Sequence, residues 1–213
     1  MFPETVETER LRLERLGPDT VDVHDFYAVM SAAEMDEVTR HHTQTRHETP
    51  KESADYLDEK AEQWENGEAA QYVVRPQADE DGAGKFAGVT GLGFQWEKRT
   101  AIMGLWLRPR FWGRGYSGER AAALLELAFA ELDLELASPE HTPENEQSKR
   151  AIEKYVGRFG GRYEGILRNW VPAEMTTTGE AWNLHRYSIS REEWRAADDD
   201  ETVETPDVEV RYG

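Results

Sequence analysis

Apolar and polar residues follow one another along the chain in patterns that predict short strands and amphipathic helices. Leucines alternate with polar residues over 9–16, which predicts a strand. Apolar residues recur at helical spacing over 21–30, which predicts a helix. Thr49 followed by Pro50 is a typical helix start, and the helical pattern continues to Trp64. The first third of the chain is therefore expected to hold a strand followed by helices.

The centre of the chain contains two apolar runs, 86–95 and 101–107, which predict an antiparallel hairpin. A helix with a strong apolar face begins near Tyr116 and includes 123–132. Asn145 is a typical N-cap for a later helix that ends near residue 156. The other predicted elements are strands at 69–75, 134–138, 162–171 and 181–189 and polar loops at 38–49 and 76–84.

In this order the elements predict an α/β fold of the mixed α+β kind, with one sheet whose first half is antiparallel. We expect a single domain over residues 1–195. Residues 196–213 are predominantly acidic, and this composition predicts a mostly disordered tail.

The charge of the chain limits its partners. Asp and Glu outnumber Lys and Arg by 43 to 25, which gives a formal net charge of -18 among 213 residues. So acidic a surface argues against general binding to nucleic acid or to an anionic membrane, because phosphates are repelled. Acid-rich and lysine-poor composition is typical of a protein from a salt-loaded cytoplasm, where the charge is screened. We therefore interpret the chain as halophilic.

The absence of cysteine excludes disulfide scaffolds, cysteine-ligated metals and thiol catalysis. No apolar run approaches 18 residues, and the first residues show no basic stretch followed by an apolar one. We expect no membrane span, no secretory signal and a cytoplasmic location.

The segment 105–129 carries the clearest chemical signal. A buried strand ends at Leu107, a turn rich in glycine and arginine follows, and a strong helix then begins. Such a turn directs successive backbone N–H groups toward a helix N-terminus and forms a cradle for an anion. Gly113 and Gly115 allow the backbone to approach a phosphate closely.

The distribution of charge supports an anion site at this turn. Residues 98–118 contain five basic residues and no acid, although the composition predicts about four acids in such a window. Burial explains the lack of acids over 101–107 but not over 108–118. We therefore interpret the turn as the binding site of an anionic ligand.

A dinucleotide site is the less favoured alternative. Residues 113–118 fit G-x-G-x-x-G, and Asp133 and Glu135 follow about 20 residues later. The motif stands in mid-chain after an antiparallel hairpin, however, and too few βα units follow it for a nicotinamide or flavin enzyme. A P-loop is excluded because no Gly-Lys-Ser/Thr follows the turn.

Residues 110–115 read Arg-Phe-Trp-Gly-Arg-Gly and match the [Q/R]-x-x-G-x-[G/A] pyrophosphate loop of the GNAT-type N-acyltransferases. The segment 112–129 resembles more specifically the branch of RimJ/RimL ribosomal-protein N-terminal acetyltransferases. Residues 7–16 are similar to the first strand of that branch. Residues 145–154 resemble its N-x-x-S-x-x-x-x-E-K helix, and 164–168 its E-G-x-x-R strand.

This resemblance implies a GNAT fold, with about seven strands in a mixed sheet flanked by helices. Acetyl-CoA, as the co-substrate, would lie between two splayed central strands, 101–107 and 134–138. The implied reaction is direct transfer of the acetyl group to a primary amine, either a protein N-terminus or a small molecule, without a metal. A homodimer is an open alternative for the assembly. The implied cofactor-binding residues are Leu105 and Leu107 through their backbones, the turn residues Arg110, Phe111, Trp112, Gly113, Arg114, Gly115, Tyr116, Ser117 and Gly118, and Asn145 at the pantetheine arm.

For catalysis, the resemblance implies that Ser148 faces the thiol and protonates the departing thiolate. The family's alternative donor is a tyrosine seven residues after the asparagine, and that position is Ile152 here. Two segments depart from the family pattern: Ser117-Gly118 replaces Ala-Thr, and YVGRFGGR replaces the usual Leu-Gly-Phe helix end.

The general base is left open between Glu97 and His141. The spacing of His41, His42 and His47 fits no standard zinc pattern, so we expect them on a loop beside the acceptor site. The altered helix end and the lack of an obvious base favour an alternative function, an acyl-CoA-binding regulatory module without turnover.

Overall fold

The computed structural model describes residues 1–198 and 208–212. In these residues nine strands form one mixed sheet, and six α-helices pack on it. The strands are β1 (Thr5–Glu7), β2 (Leu11–Arg15), β3 (Ala69–Pro76), β4 (Gly88–Gln95), β5 (Thr100–Leu107), β6 (Leu136–His141), β7 (Arg162–Val171), β8 (Trp182–Ser190) and β9 (Glu209–Arg211). The helices are α1 (Val23–Met30), α2 (Met35–Thr39), α3 (Pro50–Glu65), α4 (Tyr116–Glu126), α5 (Glu146–Arg158) and α6 (Arg191–Asp198).

The strands are ordered β7-β8-β6-β5-β4-β3-β2-β1-β9 across the sheet. Strands β1 to β5 pair antiparallel with one another in chain order. This confirms the antiparallel first half that the sequence predicted. The β5–β6 pair is parallel, because the chain crosses over through α4 between these two strands. Expectation and structure therefore agree on a single mixed α/β sheet.

Helices cover both faces of the sheet. Alternate residues of β3 pack on opposite faces of the sheet. On one face, Tyr72 and Val74 pack in the cluster that contains α4. On the other face, Val73 packs with Phe26 of α1 and Leu57 of α3. Side chains of successive strand residues point to opposite faces, so a strand buried on both sides is nearly continuously apolar. The sheet is thereby held as a rigid platform between two apolar layers.

The helix starts follow the chemistry of their first residues. The Thr49 side chain accepts a hydrogen bond from the Glu52 N–H, with Pro50 in the first helical turn, and the Glu52 carboxylate accepts the Glu48 N–H at 2.9 Å. The arrangement is a variant of the capping box, in which the glutamate accepts the N–H of the residue before the N-cap and the hydroxyl of the N-cap Thr49. The Asn145 side chain likewise accepts the Ser148 N–H at 3.0 Å. Both predicted N-caps are confirmed.

Three short elements differ from the sequence expectation, and the longer helix α6 (Arg191–Asp198) was not predicted either. Strands β1 and β9 raise the expected seven strands to nine in the described residues. Helix α2 includes residues 38 and 39, which were predicted as the start of a loop. All three elements are three to five residues long, too short to show a periodic pattern.

The acidic C-terminal segment also differs from the expectation in part. Residues 196–198 continue α6, and Glu209–Arg211 pairs antiparallel with Thr5–Glu7. Pairing with the edge of β1 satisfies the backbone groups of this segment. The other residues of the predicted tail, 199–207 and 213, lie outside the described residues.

Candidate active site

The two central strands separate part of the way along β5. The β5–β6 ladder pairs Thr100 with Leu136 and ends where Met103 meets Pro139. Proline has no backbone N–H and cannot continue a ladder. After this point the described part of the chain pairs β6 with β8 alone and gives the remaining half of β5 no partner on that side. A cleft therefore opens between β5 and β6.

The open edge of β5 presents the backbone of Leu105 and Leu107. The Gly104 carbonyl accepts a hydrogen bond from Thr90 of β4, and the Arg108 N–H donates to Ala87 before β4, each at 2.8 Å. Strand peptide groups alternate in direction, so Leu105 and Leu107 face the cleft. The Leu107 carbonyl is occupied by the Trp112 indole N–H at 2.7 Å. The peptide of Leu105 is thus directed at whatever enters the cleft.

The glycine turn has the backbone geometry of an anion cradle. Gly113 and Gly115 have φ values of 75° and 83°, in the left-handed region that glycine adopts without strain. Gly115 is the N-cap of α4, and no side chain caps the helix. In the described structure the N–H groups of Tyr116 and Ser117 have no acceptor, while the Gly118 N–H donates to the Gly115 carbonyl at 3.0 Å. The helix start is therefore available to an anionic group.

The arginines around this turn are ion-paired to acids from distant segments. The Arg114 Nη2 lies 2.9 Å and the Arg110 Nη2 4.0 Å from the Asp81 carboxylate, in the loop between β3 and β4. Arg108 pairs with Glu34 at 2.6 Å. The Arg114 guanidinium holds the pKa of the Asp81 carboxyl below its usual value, mainly through its hydrogen bond. The positive charge that the sequence shows at the turn is thus largely neutralised by the fold.

An ion pair of Arg10 with the buried Glu119 also holds the glycine turn in place. The Glu119 carboxylate, in the first turn of α4, is 7% exposed and accepts three hydrogen bonds. Its donors are the Thr8 hydroxyl at 2.6 Å, the Arg10 backbone N–H at 2.8 Å and the Arg10 Nε at 2.7 Å. Arg10 also donates to the Arg114 carbonyl at 3.0 Å. The sequence gives no local signal for this pair, because the contact depends on the start of strand β2 lying beside α4.

A cleft of about 1630 Å³ runs from this turn to the splayed strands. Every cofactor-binding or catalytic residue predicted from the sequence lines it except Arg110. Arg110 is exposed and lies over the Phe111 ring, 4.8 Å from the ring centroid, outside the lining. The predicted site residues that line the cleft are Leu105, Leu107, Phe111, Trp112, Gly113, Arg114, Gly115, Tyr116, Ser117, Gly118, Asn145 and Ser148.

A smaller cavity of about 370 Å³ meets this cleft at the splayed strands. It is lined on its far side by Tyr56, Gln71 and Trp182. The residues that border both cavities are His41, His42, Met103, Leu105, Trp106, Glu140, Asn145 and Ser148. Ser148 therefore stands at the junction, half-buried, with its backbone held by the Asn145 side chain.

Neither base suggested by the sequence is free at this junction. Glu97 lies on the turn between β4 and β5 and lines neither cavity. His141 borders the smaller cavity, but its Nδ1 hydrogen-bonds the Thr142 carbonyl at 2.7 Å and its Nε2 lies 3.3 Å from the Tyr187 hydroxyl. Burial lowers the pKa of His141. Both ring nitrogens are therefore committed inside the protein.

Two of the three loop histidines, His41 and His42, border both cavities. His41 Nδ1 lies 3.2 Å from the Thr142 hydroxyl, and burial lowers its pKa. Burial also lowers the pKa of His42 to about 4, so this imidazole is neutral at pH 7. His47 is buried away from the cavities, with its Nδ1 2.8 Å from the Ser53 hydroxyl. In the described residues no three His, Asp or Glu side chains are grouped to hold a metal ion.

The dinucleotide alternative does not fit the fold. Asp133 and Glu135 pair with Arg99 at 2.5 and 3.0 Å and line neither cavity. The glycine turn opens a single parallel crossover in an otherwise antiparallel half-sheet, which is not the doubly wound arrangement that such a site needs.

No described helix has the length and apolar character needed to cross a membrane.

Comparisons with known proteins show what this chain is similar to. Residues 10–155 match the acetyltransferase (GNAT) domain family. An uncharacterized N-acetyltransferase of Bacillus subtilis, YnaD, is 32% identical over 97 residues, which are 46% of this chain and 52% of that protein. The chain thus spans about half the length of this relative.

Solved structures share the fold along nearly the whole chain. A GCN5-related N-acetyltransferase from Brucella melitensis aligns with a TM-score of 0.75 at 20% identity, covering 96% of this chain and 91% of that one. The microcin C7 self-immunity acetyltransferase MccE, solved in complex with acetyl-CoA and AMP, aligns with a TM-score of 0.70 at 15% identity, covering 85% and 93%. At these identities the likeness is one of fold.

Proposed function

The chain belongs to the GNAT acetyltransferase family, and we propose from this premise that it is an N-acetyltransferase that transfers the acetyl group of acetyl-CoA directly to a primary amine. The observation that carries this proposal is the junction of two cavities between β5 and β6. The larger cavity begins at an uncapped helix N-terminus with two left-handed glycines, and the smaller one opens on the other side of Ser148. A phosphorylated donor and a separate acceptor would meet at that point.

The coenzyme phosphates would bind the N–H groups of Tyr116 and Ser117, where the helix dipole favours negative charge. The pantetheine arm would run along the open edge of β5, with the Leu105 peptide as its hydrogen-bonding partner. The Asn145 oxygen accepts the Ser148 N–H, so its side-chain NH₂ remains to hold the arm. The acyl group would then lie beside Ser148.

In the reaction, the amine nitrogen attacks the thioester carbonyl carbon, so that a C–N bond forms and the C–S bond breaks. The proton lost by the amine passes to a base at the acceptor side, where His41 and His42 border both cavities. Glu140 also lines this region, but its carboxylate is ion-paired with Arg186. The Leu105 N–H would stabilise the developing oxyanion. Coenzyme A leaves as a thiolate and takes a proton from the Ser148 hydroxyl, which solvent restores.

We propose a cationic amine as the acceptor, either a protein N-terminus or a small molecule. The resemblance of residues 7–16, 112–129, 145–154 and 164–168 to the RimJ/RimL branch supports the protein N-terminus. The net charge of -18 favours a cation in general, although high salt would screen this attraction within a few Å. The lysine-poor composition supports a salt-rich working environment.

The test is release of coenzyme A from acetyl-CoA in the presence of a panel of amines. The panel holds short peptides with different N-termini, polyamines and amino sugars, and it is assayed at low salt and at about 1 M KCl. Because the chain has no cysteine, a thiol reagent reports only the released coenzyme A. Amine-dependent release supports the proposal.

Two other results would contradict it. Protection against thermal unfolding by coenzyme A, without release under any condition, would favour a binding module. A protein that does not bind coenzyme A at all would have neither function.

A further inference from the structure

Arg120 is a buried arginine on the wall of the larger cleft. It lies one helical turn after Tyr116 in α4 and is 3% exposed. Its guanidinium carbon lies 5.5 Å from the centre of the Tyr155 ring of α5. Both side chains line the cleft.

The described structure gives Arg120 no counter-charge. Its Nε and Nη1 atoms, and the hydroxyl of Tyr155, are buried without a hydrogen bond of good geometry among the described residues. The guanidinium and the Tyr155 hydroxyl interact electrostatically with each other, but the hydroxyl is a neutral group and supplies no counter-charge. The adjacent Glu119 carboxylate is taken up by Arg10 and Thr8. Burial lowers the pKa of Arg120. An uncompensated buried charge costs several kcal/mol, so a ligand that supplies the missing anion would explain why it is there.

Two other arginines near the glycine turn, in contrast, have carboxylate partners. Arg108 is paired with Glu34, and Arg114 with Asp81, at 2.6 and 2.9 Å. Asp81 itself is 76% exposed, so the Arg114 pair is one that water screens. Arg120 thus differs from Arg108 and Arg114 in being both buried and unpaired in the described structure.

The position of Arg120 distinguishes the two ends of a coenzyme molecule. Arg120 follows Tyr116 by four residues, about 6 Å along the helix axis, and so lies on the same face as the anion cradle. Tyr155 follows Ser148 by seven residues, about 10 Å or two turns farther along α5 from the junction of the cavities. The missing anion therefore belongs to the phosphate end of the ligand and not to the acyl group.

We propose that Arg120, together with the Tyr155 hydroxyl, is a coenzyme-binding residue that donates hydrogen bonds to a phosphate group of coenzyme A. This inference rests on the proposed function, since it takes an acyl-CoA as the donor. The chemistry that it recognises is a phosphate oxygen, which either the pyrophosphate or the 3′-phosphate can supply.

The test compares Arg120→Met with Arg46→Met, which removes the same charge from an exposed pair with Asp36. Calorimetric titration with coenzyme A should show a Kd about 10- to 100-fold higher for Arg120→Met and unchanged for Arg46→Met. The melting temperature of ligand-free Arg120→Met should equal or exceed that of the wild type, because an unpaired buried charge has been removed. Tyr155→Phe should raise the Kd by a smaller factor.

Three probes identify the phosphate. If Arg120 contacts the 3′-phosphate, the wild type and Arg120→Met bind 3′-dephospho-coenzyme A equally. If it contacts the pyrophosphate, the difference persists with that compound and disappears with pantetheine. Should Arg120→Met not fold, Arg120→Lys, which keeps the charge and loses the planar fork, should bind coenzyme A about tenfold more weakly.

The inference is overturned if the variants bind coenzyme A as the wild type does, or if their weaker binding is the same for pantetheine. It is also overturned if folded, ligand-free Arg120→Met melts below the wild type, since the guanidinium would then support the core. Failure of the wild type to bind coenzyme A would defeat the proposed function itself, so the two failures are distinguishable.

Discussion

Arg10 and Glu119 are joined by two hydrogen bonds, from the backbone N–H and the Nε of Arg10, although 109 residues separate them in the chain. The same arginine donates to the Arg114 carbonyl and so ties the glycine turn to strand β2. The cradle thus depends on a contact between the first and the middle parts of the chain.

We expect Glu119→Ala to lower the free energy of unfolding by about 2–3 kcal/mol, because three donors lose a charged acceptor in a buried place. It should also raise the Kd for coenzyme A, since the turn loses its anchor. Chemical denaturation and titration measure the two effects. The matched control is Asp55→Ala, which breaks an exposed i,i+4 pair with Lys51 and should cost no more than about 0.5 kcal/mol. Equal losses for the two variants would contradict the assignment.

The glycine turn can be tested against a glycine of the same conformation elsewhere. Gly113 and Gly179 have φ values of 75° and 71°, and a Cβ at either position meets nothing within 4 Å. Alanine at either should therefore cost about 1–2 kcal/mol of backbone strain. Only Gly113→Ala should also weaken coenzyme A binding, by tenfold or more, because its Cβ would stand where the phosphate approaches. Similar Kd values for the two variants would show that the turn is not the cradle.

Asn145 combines a helix cap with a proposed contact to the pantetheine arm. Asn145→Asp keeps the oxygen that accepts the Ser148 N–H, and unfolding should change by less than about 0.5 kcal/mol. Coenzyme A and pantetheine should both bind more weakly, because the NH₂ group is lost. Asn145→Ala should lose about 1 kcal/mol of stability in addition. If Asn145→Asp binds both ligands normally, the residue is a cap only.

Ser148 should affect the chemical step and not the affinity for the donor. Ser148→Ala removes the hydroxyl at the junction of the cavities, and kcat should fall by about 10- to 100-fold, within the range of general acid catalysis. The Kd for acetyl-CoA should stay within twofold. Pre-steady-state measurement of acetyl transfer checks that chemistry limits the rate. Normal turnover in this variant would remove Ser148 from the mechanism.

Buried histidines should make the protein sensitive to acid. The pKa of His42 is about 4 in the fold and about 6.5 in an unfolded chain, so the unfolded state takes up the proton first as the pH falls. The stability tied to His42 is complete above pH 6.5 and is lost between pH 6.5 and pH 4. It amounts to about 3 kcal/mol, because each pKa unit corresponds to about 1.4 kcal/mol. Urea unfolding across this range should give a shallower pH dependence for His42→Gln than for the wild type, with exposed His24→Gln as the control. Identical slopes for His42→Gln and the wild type would contradict this.

The periodic patterns predicted the order of the long elements because each such pattern is local. Thr49 and Asn145 start helices by accepting N–H groups only three residues away, and both were identified from the sequence. The glycine turn is equally local, since left-handed φ values at Gly113 and Gly115 follow from residue type. Strands β1 and β9 escaped prediction because a three-residue strand is stabilised by its partner and not by its own pattern.

The partners of the charged side chains were decided only by the tertiary structure. Residues 98–118 contain no acid, so the sequence indicated a positively charged turn, but the fold brings Asp81 and Glu34 to its arginines from other loops. It turns His141 inward and leaves Arg120, just outside that window, as a buried cation without a counter-charge among the described residues.

The sequence by itself therefore determined which residue types stand at the turn, at the strand ends and at the helix starts. Only the tertiary structure decided which charges cancel and where two cavities meet. The physical reason is range: hydrogen bonding within a turn of backbone acts over three or four residues, whereas ion pairs and cavities depend on segments that packing brings together from tens of residues apart.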